Sequence, residues 1–460
     1  MGTALVFVLA GCGDDGSSTP ITPAATTPLQ VNMGDAPADW LLSFSMNVSS
    51  MSLTTSSGET VSVASSATPV EMIHRLGTME AIAQIAAPRG TYTSASLNIA
   101  SCTFAYKDPN THALMYKTIN GPINASVPLG SNISVGDTPL ALNFDLDLQH
   151  SLTSDGSGAF QFAPQFHIAT GAPSGGNGNS GNSVNARHGG MYQMMGVVTG
   201  VSSDSFSMKT SQATNNFTFR IATQTQFHGR VANMAGLATG MGVLVTATLQ
   251  SDGSYQAQHV RATMNSGGAM GGGVIINVDA VPATALTLVM QNGAGASVNT
   301  DYLSKTLLVH LTDSTKYEID SDRVSLTGLP FQPVFDASNV YAGQTVVPYT
   351  DGVVAVISSC DPACGEMTAS TVRLHERGIR GTTDVAINPG VVTSFTLTLP
   401  TDCAFTALTG ATQILVYQQA ATNVEDSTAI AAGTMVRVHG LLFNNAGQWT
   451  MVASTISSAP

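Results

Sequence analysis

Three stretches of this chain share one pattern, and it restricts the fold more than any other feature of the sequence. Each has a large aliphatic residue, a glycine three positions later, and then a short apolar strand. These are Leu237 to Gly240 with Val243 and Val245, Val340 to Gly343 with Val346 and Val347, and Ile430 to Gly433 with Val436 and Val438. Each is followed by Ala-x-x-Val/Ile, at Ala257 to Val260, Ala369 to Val372 and Ala453 to Ile456. A glycine fixed ahead of a strand supplies a tight turn, and the apolar positions after it face an interior. The repetition predicts three small β-barrels, at 191–264, 274–377 and 378–460. Uneven spacing between the motifs favours separate barrels over a tight solenoid. The glycine-rich run 265–273 reads as a linker between the first two.

Residues 29–170 alternate at period two, the mark of half-buried strands. Phe44, Met46 and Val48 alternate with Ser45 and Asn47, and Phe144, Leu146 and Leu148 with Asp145 and Asp147. Turns at Ser57-Gly58-Glu59 and Pro88-Arg89-Gly90 separate them. A β-sandwich is expected, with at most one short helix over 80–86, where Met79, Ile82, Ala83 and Ala86 fit a helical stripe. The run 171–190 reads as a flexible Gly/Ser/Asn linker. The fold class is therefore all-β: an N-terminal β-sandwich followed by tandem small β-barrels. Composition agrees, since 10% charged residues, 43% apolar residues and 45 glycines suit short strands joined by turns.

The N-terminus carries an apolar run, Ala4 to Ala10, ending in Leu9-Ala10-Gly11-Cys12. Residues 1–12 read as a signal segment with a lipobox, although no Lys or Arg precedes the run. Residues 13–28, rich in Gly, Ser, Thr and Pro, read as a flexible tether. This order resembles that of bacterial lipoproteins. The resemblance implies lipidation at Cys12, a membrane partner through that lipid, and a place in the cell envelope. Gly13 in place of Asp favours the outer membrane by the same resemblance. No later apolar run reaches the ~18 residues of a spanning helix.

An oxidising envelope permits disulfides. Cys360 and Cys364 form the candidate pair, whose short loop contributes about 2 kcal/mol by chain entropy. Their three-residue spacer departs from the Cys-x-x-Cys of thiol oxidoreductases. Cys102 and Cys403 are either a long-range bridge or two buried thiols.

Gly34-Asp35-Ala36-Pro37-Ala38-Asp39, with Pro88-Arg89-Gly90-Thr91-Tyr92 downstream, resembles an uncharacterised N-terminal domain of bacterial lipoproteins, the family of unknown function numbered 4382. The Gly-x-x-Val-x-Val and Ala-x-x-Val patterns resemble the family numbered 5666, an all-β barrel repeat. The middle unit departs from it, with Pro348 at the last apolar position and a cysteine-containing insertion. The resemblance implies an envelope lipoprotein of all-β modules and carries over no catalytic residue.

The chemistry that remains is sparse. A net charge of −13 argues against a nucleic-acid partner, because phosphate binding needs a basic surface. None of the ten histidines has a partner at His-x₃-His or Glu-x₂-His spacing. His188 with Met191, Met194 and Met195 is a candidate soft-ligand set for copper, against methionines that fill a core. Glu318, Asp320 and Asp322 could hold calcium but read as a solvated strand face. Asp145 and Asp147 read as strand surface. No nucleophile elbow, P-loop or haem-attachment motif occurs, and no cofactor is implied. Trp40 and Trp449 are candidates for stacking on a sugar, with a core role favoured for Trp449. The reading is a non-catalytic, lipid-anchored envelope protein that presents β-domains on tethers to a glycan, an envelope polymer or a protein. The alternatives are an envelope hydrolase with an acidic site assembled from distant residues, and a structural surface spacer.

Overall fold

Two sheets of alternating strands build the N-terminal unit. A computed structural model describes residues 25–459 except 37, 65–66, 74–79, 109–110, 112, 156–157, 172–190, 214–215, 251–253, 296–301, 353, 358–363 and 426–428. One sheet has the order Phe166–Gly171, Leu140–Asp147, Thr26–Ala36, Glu80–Pro88. The other runs Thr60–Ala64, Leu41–Thr55, Gly90–Lys107, Leu114–Val135, with Thr68–Glu71 also on Leu41–Thr55. Val31, Met33, Phe44, Met46, Phe104 and Phe144 are fully buried in one shared core, which makes the unit a β-sandwich.

Two expectations are corrected here. Residues 26–28, assigned to the tether, already pair with 86–88, so the strand begins before Leu29. The segment over 80–86 is a strand and not a helix. Ile82 and Ala83 enter the sandwich core while Ala81 packs into the core of the next unit. A strand covered on both faces loses its alternation, and the residual apolar spacing mimics a helical stripe.

The three repeats share one circuit of strands. In the first barrel these are Met191–Val201, Ser205–Thr210, Phe217–Arg220 continued by Gln226–Gly229, Gly242–Leu249, and Tyr255–Met264. The first strand pairs with the second and fourth, the second with the third, the fifth with the fourth, and the third runs parallel to the fifth. The second barrel repeats this with Ala269–Val278, Ala285–Gly295, Thr306–His310 continued by Lys316–Ile319, Thr345–Thr350, and a fifth strand bent between Cys364–Thr368 and Thr371–His375. The third is a closed barrel of Arg377–Thr383, Thr393–Thr398, Gln413–Val424, Met435–Asn445 and Gln448–Ser458. The order 1-2-3-5-4 closing on 1 is the Greek-key arrangement of OB-folds.

The motif residues hold equivalent places. Gly240, Gly343 and Gly433 have φ of +89°, +95° and +80°, and each donates its N–H at 2.8 Å to the first strand, at Val198, Ile275 and Thr383. Leu237, Val340 and Ile430 are buried, as are the alanines and the Val or Ile of the second motif. The run 265–273 is only partly a linker, because Ala269 onwards is the first strand of the second barrel. Gly273 answers a close approach: a Cβ there would lie 2.0 Å from the Val289 carbonyl oxygen, and the equivalent Gly196 and Gly381 are also crowded, at 2.5 Å from Lys209 O and 2.6 Å from Thr398 O. Ala355–Ile357 pairs antiparallel with the first half of the bent strand, as an edge strand the other two barrels do not have among the described residues.

The units pack on one another and are not beads on a tether. Gln291 of the second barrel donates to the Leu42 carbonyl of the sandwich at 2.8 Å, and the Glu71 N–H donates to Gln212 Oε1 of the first barrel at 2.8 Å. Gln344 joins the second barrel to the third through the Leu442 carbonyl at 2.9 Å. Leu42, Ala105, Val274, Val289 and Ala404 share one buried cluster drawn from three units. These amides look like surface in a sequence but are buried, because each finds a backbone partner across the interface. Among the described residues no helix is long and apolar enough to cross a membrane.

Candidate functional site

Where the four units meet, they line a partly open cavity of about 140 Å³. The sandwich contributes Asp39, the second barrel Arg323, and the third barrel with its lead-in strand Glu376, Arg377, Arg380 and Cys403. Asp39 pairs with Arg380 across the sandwich–barrel interface. Burial raises the Asp39 carboxyl above its ordinary value against the pull of Arg380. Glu376 receives Arg323 at 3.2 Å and the Ser454 hydroxyl at 2.9 Å. Both carboxylates are thus matched by a guanidinium.

Arg377 differs. Its guanidinium donates to the Gly343 carbonyl and lies 5.4 Å from the centre of the Phe405 ring. Among the described residues no carboxylate pairs with it. Burial lowers its pKa to about 10, which leaves it charged at neutral pH. Cys403 stands beside it, but burial pushes that thiol up, so it is no thiolate nucleophile.

A wall of the cavity continues, through His375, into a charged seam between the first and second barrels. Asp320 accepts from His375 Nδ1 at 2.8 Å and pairs with Arg373. Asp322 Oδ2 lies 3.3 Å from Arg373, and its Oδ1 lies 3.1 Å from Arg261 of the first barrel. Both guanidiniums have a nitrogen 3.9 Å from Glu318 Oε2. Arg373 is 1% exposed and Asp320 5%, so the trio read as a solvated strand face is the core of an ion-pair network. Burial pushes the Asp320 carboxyl up, but the His375 bond and nearby charge outweigh it and hold it below the usual carboxylate range. Burial likewise raises the Tyr349 hydroxyl to about 12. His228 Nε2 faces His259 Nδ1 at 3.3 Å beside this network, and burial lowers the His228 pKa. Sequence reasoning missed both arginines. The available signal was Ala-x-x-Val-Arg, present at Ala257 to Arg261 and again at Ala369 to Arg373.

The sequence candidates fare differently. Cys12, His188 and Cys360 lie outside the described residues, and so does the linker over 172–190. Cys364 opens the bent strand opposite Ile357. Met191 begins the first barrel. Met194 and Met195 part company: Met194 enters the first barrel's core, whereas Met195 packs outward with Leu244, Met264 and Met270. Adjacent strand residues point to opposite faces, so these two cannot share a metal. Trp449 is 7% exposed and packs against Phe405, so it offers no sugar platform. Trp40 is half-buried, with one ring face stacked on Phe160 and its edges against Phe104 and Tyr106. Cys102 and Cys403 are two free, buried thiols, and burial raises Cys102 to about 12. Asp147 is spent locally, accepting from the His150 backbone at 3.1 Å and facing its ring at 2.7 Å.

Fold and site define an all-β protein in which three five-stranded Greek-key barrels line a cavity together with a β-sandwich. Residues 195–261, within the first barrel, match the family described as Domain of unknown function (DUF5666). A comparison with curated proteins gives no match. Among the solved structures that align with the chain are the following two. One is described as drosophila Unr CSD456, 9% identical, covering 58% of this chain and 98% of that one, at a TM-score of 0.13. The other is a multidomain protein with nucleic acid binding domains from Streptococcus pneumoniae TIGR4, 8% identical, covering 57% and 72%, at a TM-score of 0.12. Likenesses that slight bear on neither fold nor function.

Proposed function

We propose that this is a non-catalytic envelope protein, anchored through a lipid on Cys12, whose four β units form one binding body. Its ligand would be an acidic group on an envelope polymer or glycan, seated in the central cavity. The supporting observation is Arg377: a half-buried guanidinium that no carboxylate pairs with among the described residues, at a cavity whose two acids already have arginines of their own. A buried charge is tolerated when paired, and an incoming carboxylate or phosphate would pair it bidentately. A cavity of this size admits a group no larger than about a benzene ring, which fits a carboxylate or phosphate group and leaves the sugar that bears it outside. The overall charge of −13 does not oppose this, because charges beyond about 10 Å are screened.

Calorimetric titration with glucuronate, galacturonate and inorganic phosphate tests the reading, with neutral glucose as control. Saturable binding of an acidic probe, lost in Arg377→Met with the melting temperature kept, is the expected result. Equal behaviour of acidic and neutral probes would overturn it. Mass spectrometry of the membrane-extracted N-terminus tests the anchor: a diacylglyceryl mass on Cys12 is expected, and a bare thiol with residues 1–11 attached refutes it.

One observation favours a hydrolase as second reading. Asp39, whose carboxyl burial raises, shares the cavity with Glu376, and two carboxyl groups facing one cleft are the groups that cleave glycosides. Release of reducing ends from an acidic polymer, abolished by Asp39→Asn, would select it.

A further inference from the structure

We propose that His228, His259 and Asp322 form a binding site for a divalent transition-metal ion, which joins the first barrel to the second. The three ligand atoms lie within 4.8 Å of one another, and all three residues are half-buried. The histidines stand on adjacent parallel strands, Gln226–Gly229 and Tyr255–Met264, where Gln226 pairs with His259 and His228 with Arg261. Their ring centres lie 5.5 Å apart with planes at 18°, and Nε2 of His228 approaches Nδ1 of His259 to 3.3 Å. Two ligands of a tetrahedral ion with metal–nitrogen bonds of about 2.0–2.1 Å lie about 3.3–3.4 Å apart. The pair is therefore already spaced for a shared ion, with no movement of either strand.

Without metal, one imidazole donates a hydrogen bond to the other. On binding, that proton shifts to the far nitrogen of the same ring, and both rings serve as neutral ligands. Asp322 enters from the second barrel and is held by Arg261 at 3.1 Å, the kind of outer contact that orients a ligating carboxylate. The two guanidiniums do not make the site hostile to a cation. Arg261 and Arg373 face three carboxylates, Glu318, Asp320 and Asp322, so the seam keeps a residual negative charge. Two imidazoles and one carboxylate, with the fourth position open to water, suit zinc, cobalt or nickel and not calcium or magnesium, which take oxygen ligands. Strand pairing assembles the site from residues far apart in the chain, so no local spacing announces it. The other barrels lack the pair, since the positions matching His228 hold Glu318 and Glu425.

The test uses the full chain, purified in detergent without a polyhistidine tag and stripped with chelator. Titration with Co²⁺ should give visible d–d absorption that saturates at one ion per chain, and Zn²⁺ should displace it. His228→Asn and His259→Gln should each abolish that saturable signal, with metal-free melting temperatures matching the wild type. Zn²⁺ should slow amide exchange in Gln226–Gly229 and around Asp322 together, and Asp322→Asn should remove that joint protection. Absence of saturable uptake, or uptake that both histidine variants retain, overturns the site. Joint protection that survives Asp322→Asn overturns the link between the barrels.

Discussion

At the scale of single residues, a threonine does the same work in all three barrels. Thr225, Thr315 and Thr422 accept from the backbone N–H three residues earlier, at 3.0, 2.9 and 2.8 Å. Each then donates to the carbonyl of the motif alanine, at 2.7 Å for Ala257, 2.9 Å for Ala369 and 2.8 Å for Ala453. The hydroxyl thus fastens the bend of the third strand to the fifth strand that runs parallel to it. Thr422 is 5% exposed, so Thr422→Val would keep the shape while stranding an acceptor and a donor. The expected loss is about 1–3 kcal/mol in urea denaturation, with Thr422→Ser much closer to wild type. A valine variant as stable as the parent would show that the bracket carries no weight. The glycine and the alanine of the repeat are legible in the sequence, and this threonine is not. A glycine fixed before a strand answers to one backbone geometry, whereas a threonine among many polar neighbours can sit on a surface, in a turn or in a strand. His228, His259 and Asp322 escaped for a related reason: their proximity is a product of strand pairing and not of spacing along the chain.

At the scale of elements, the motif glycines separate what a repeat shares from what its surroundings add. All three need a positive φ, a cost of about 1–2 kcal/mol for a residue with a Cβ. Around Gly433 a Cβ would meet nothing within 4 Å, so Gly433→Ala should cost little more than that. At Gly343 the same atom would lie 2.7 Å from Thr409 Cγ2 and 2.8 Å from Phe405 Cε2, on the short helix Ala404–Thr409 of the third barrel. Overpacking adds typically 1–3 kcal/mol. Melting temperatures should therefore fall further for Gly343→Ala than for Gly433→Ala, and equal falls would mean that the helix yields freely. The repeat itself was legible because one turn geometry imposes one residue. The helix against Gly343 was not, because it belongs to another unit. The strand Glu80–Pro88 was misread on the same ground: its second face is covered by a neighbour the local pattern does not reveal.

At the scale of the whole molecule, the question is why four units that read as tethered modules pack together. The surfaces that meet are dressed in Gln, Ser and Asp, and these side chains bond across the interfaces. Asp39 is the clearest case. Its carboxylate pairs with Arg380, and its backbone carbonyl accepts from the Ala404 N–H at 2.7 Å, so one residue of the sandwich caps a helix of the third barrel and neutralises its first strand. The Asp39 side chain is 5% exposed and that of Arg380 16%, so water cannot replace the partner. Removing one member of such a pair strands the other and costs about 3–5 kcal/mol. Asp39→Ala should therefore loosen the sandwich from the third barrel before any unit unfolds. In small-angle scattering, a chain of residues 25–460 should have a radius of gyration near the ~22 Å of a compact body of this length. Asp39→Ala should raise it while circular dichroism stays unchanged, because the strands within each unit do not depend on the pair. An expanded wild-type chain would mean that the units move apart in solution, and the central cavity they line would then not exist as a binding site.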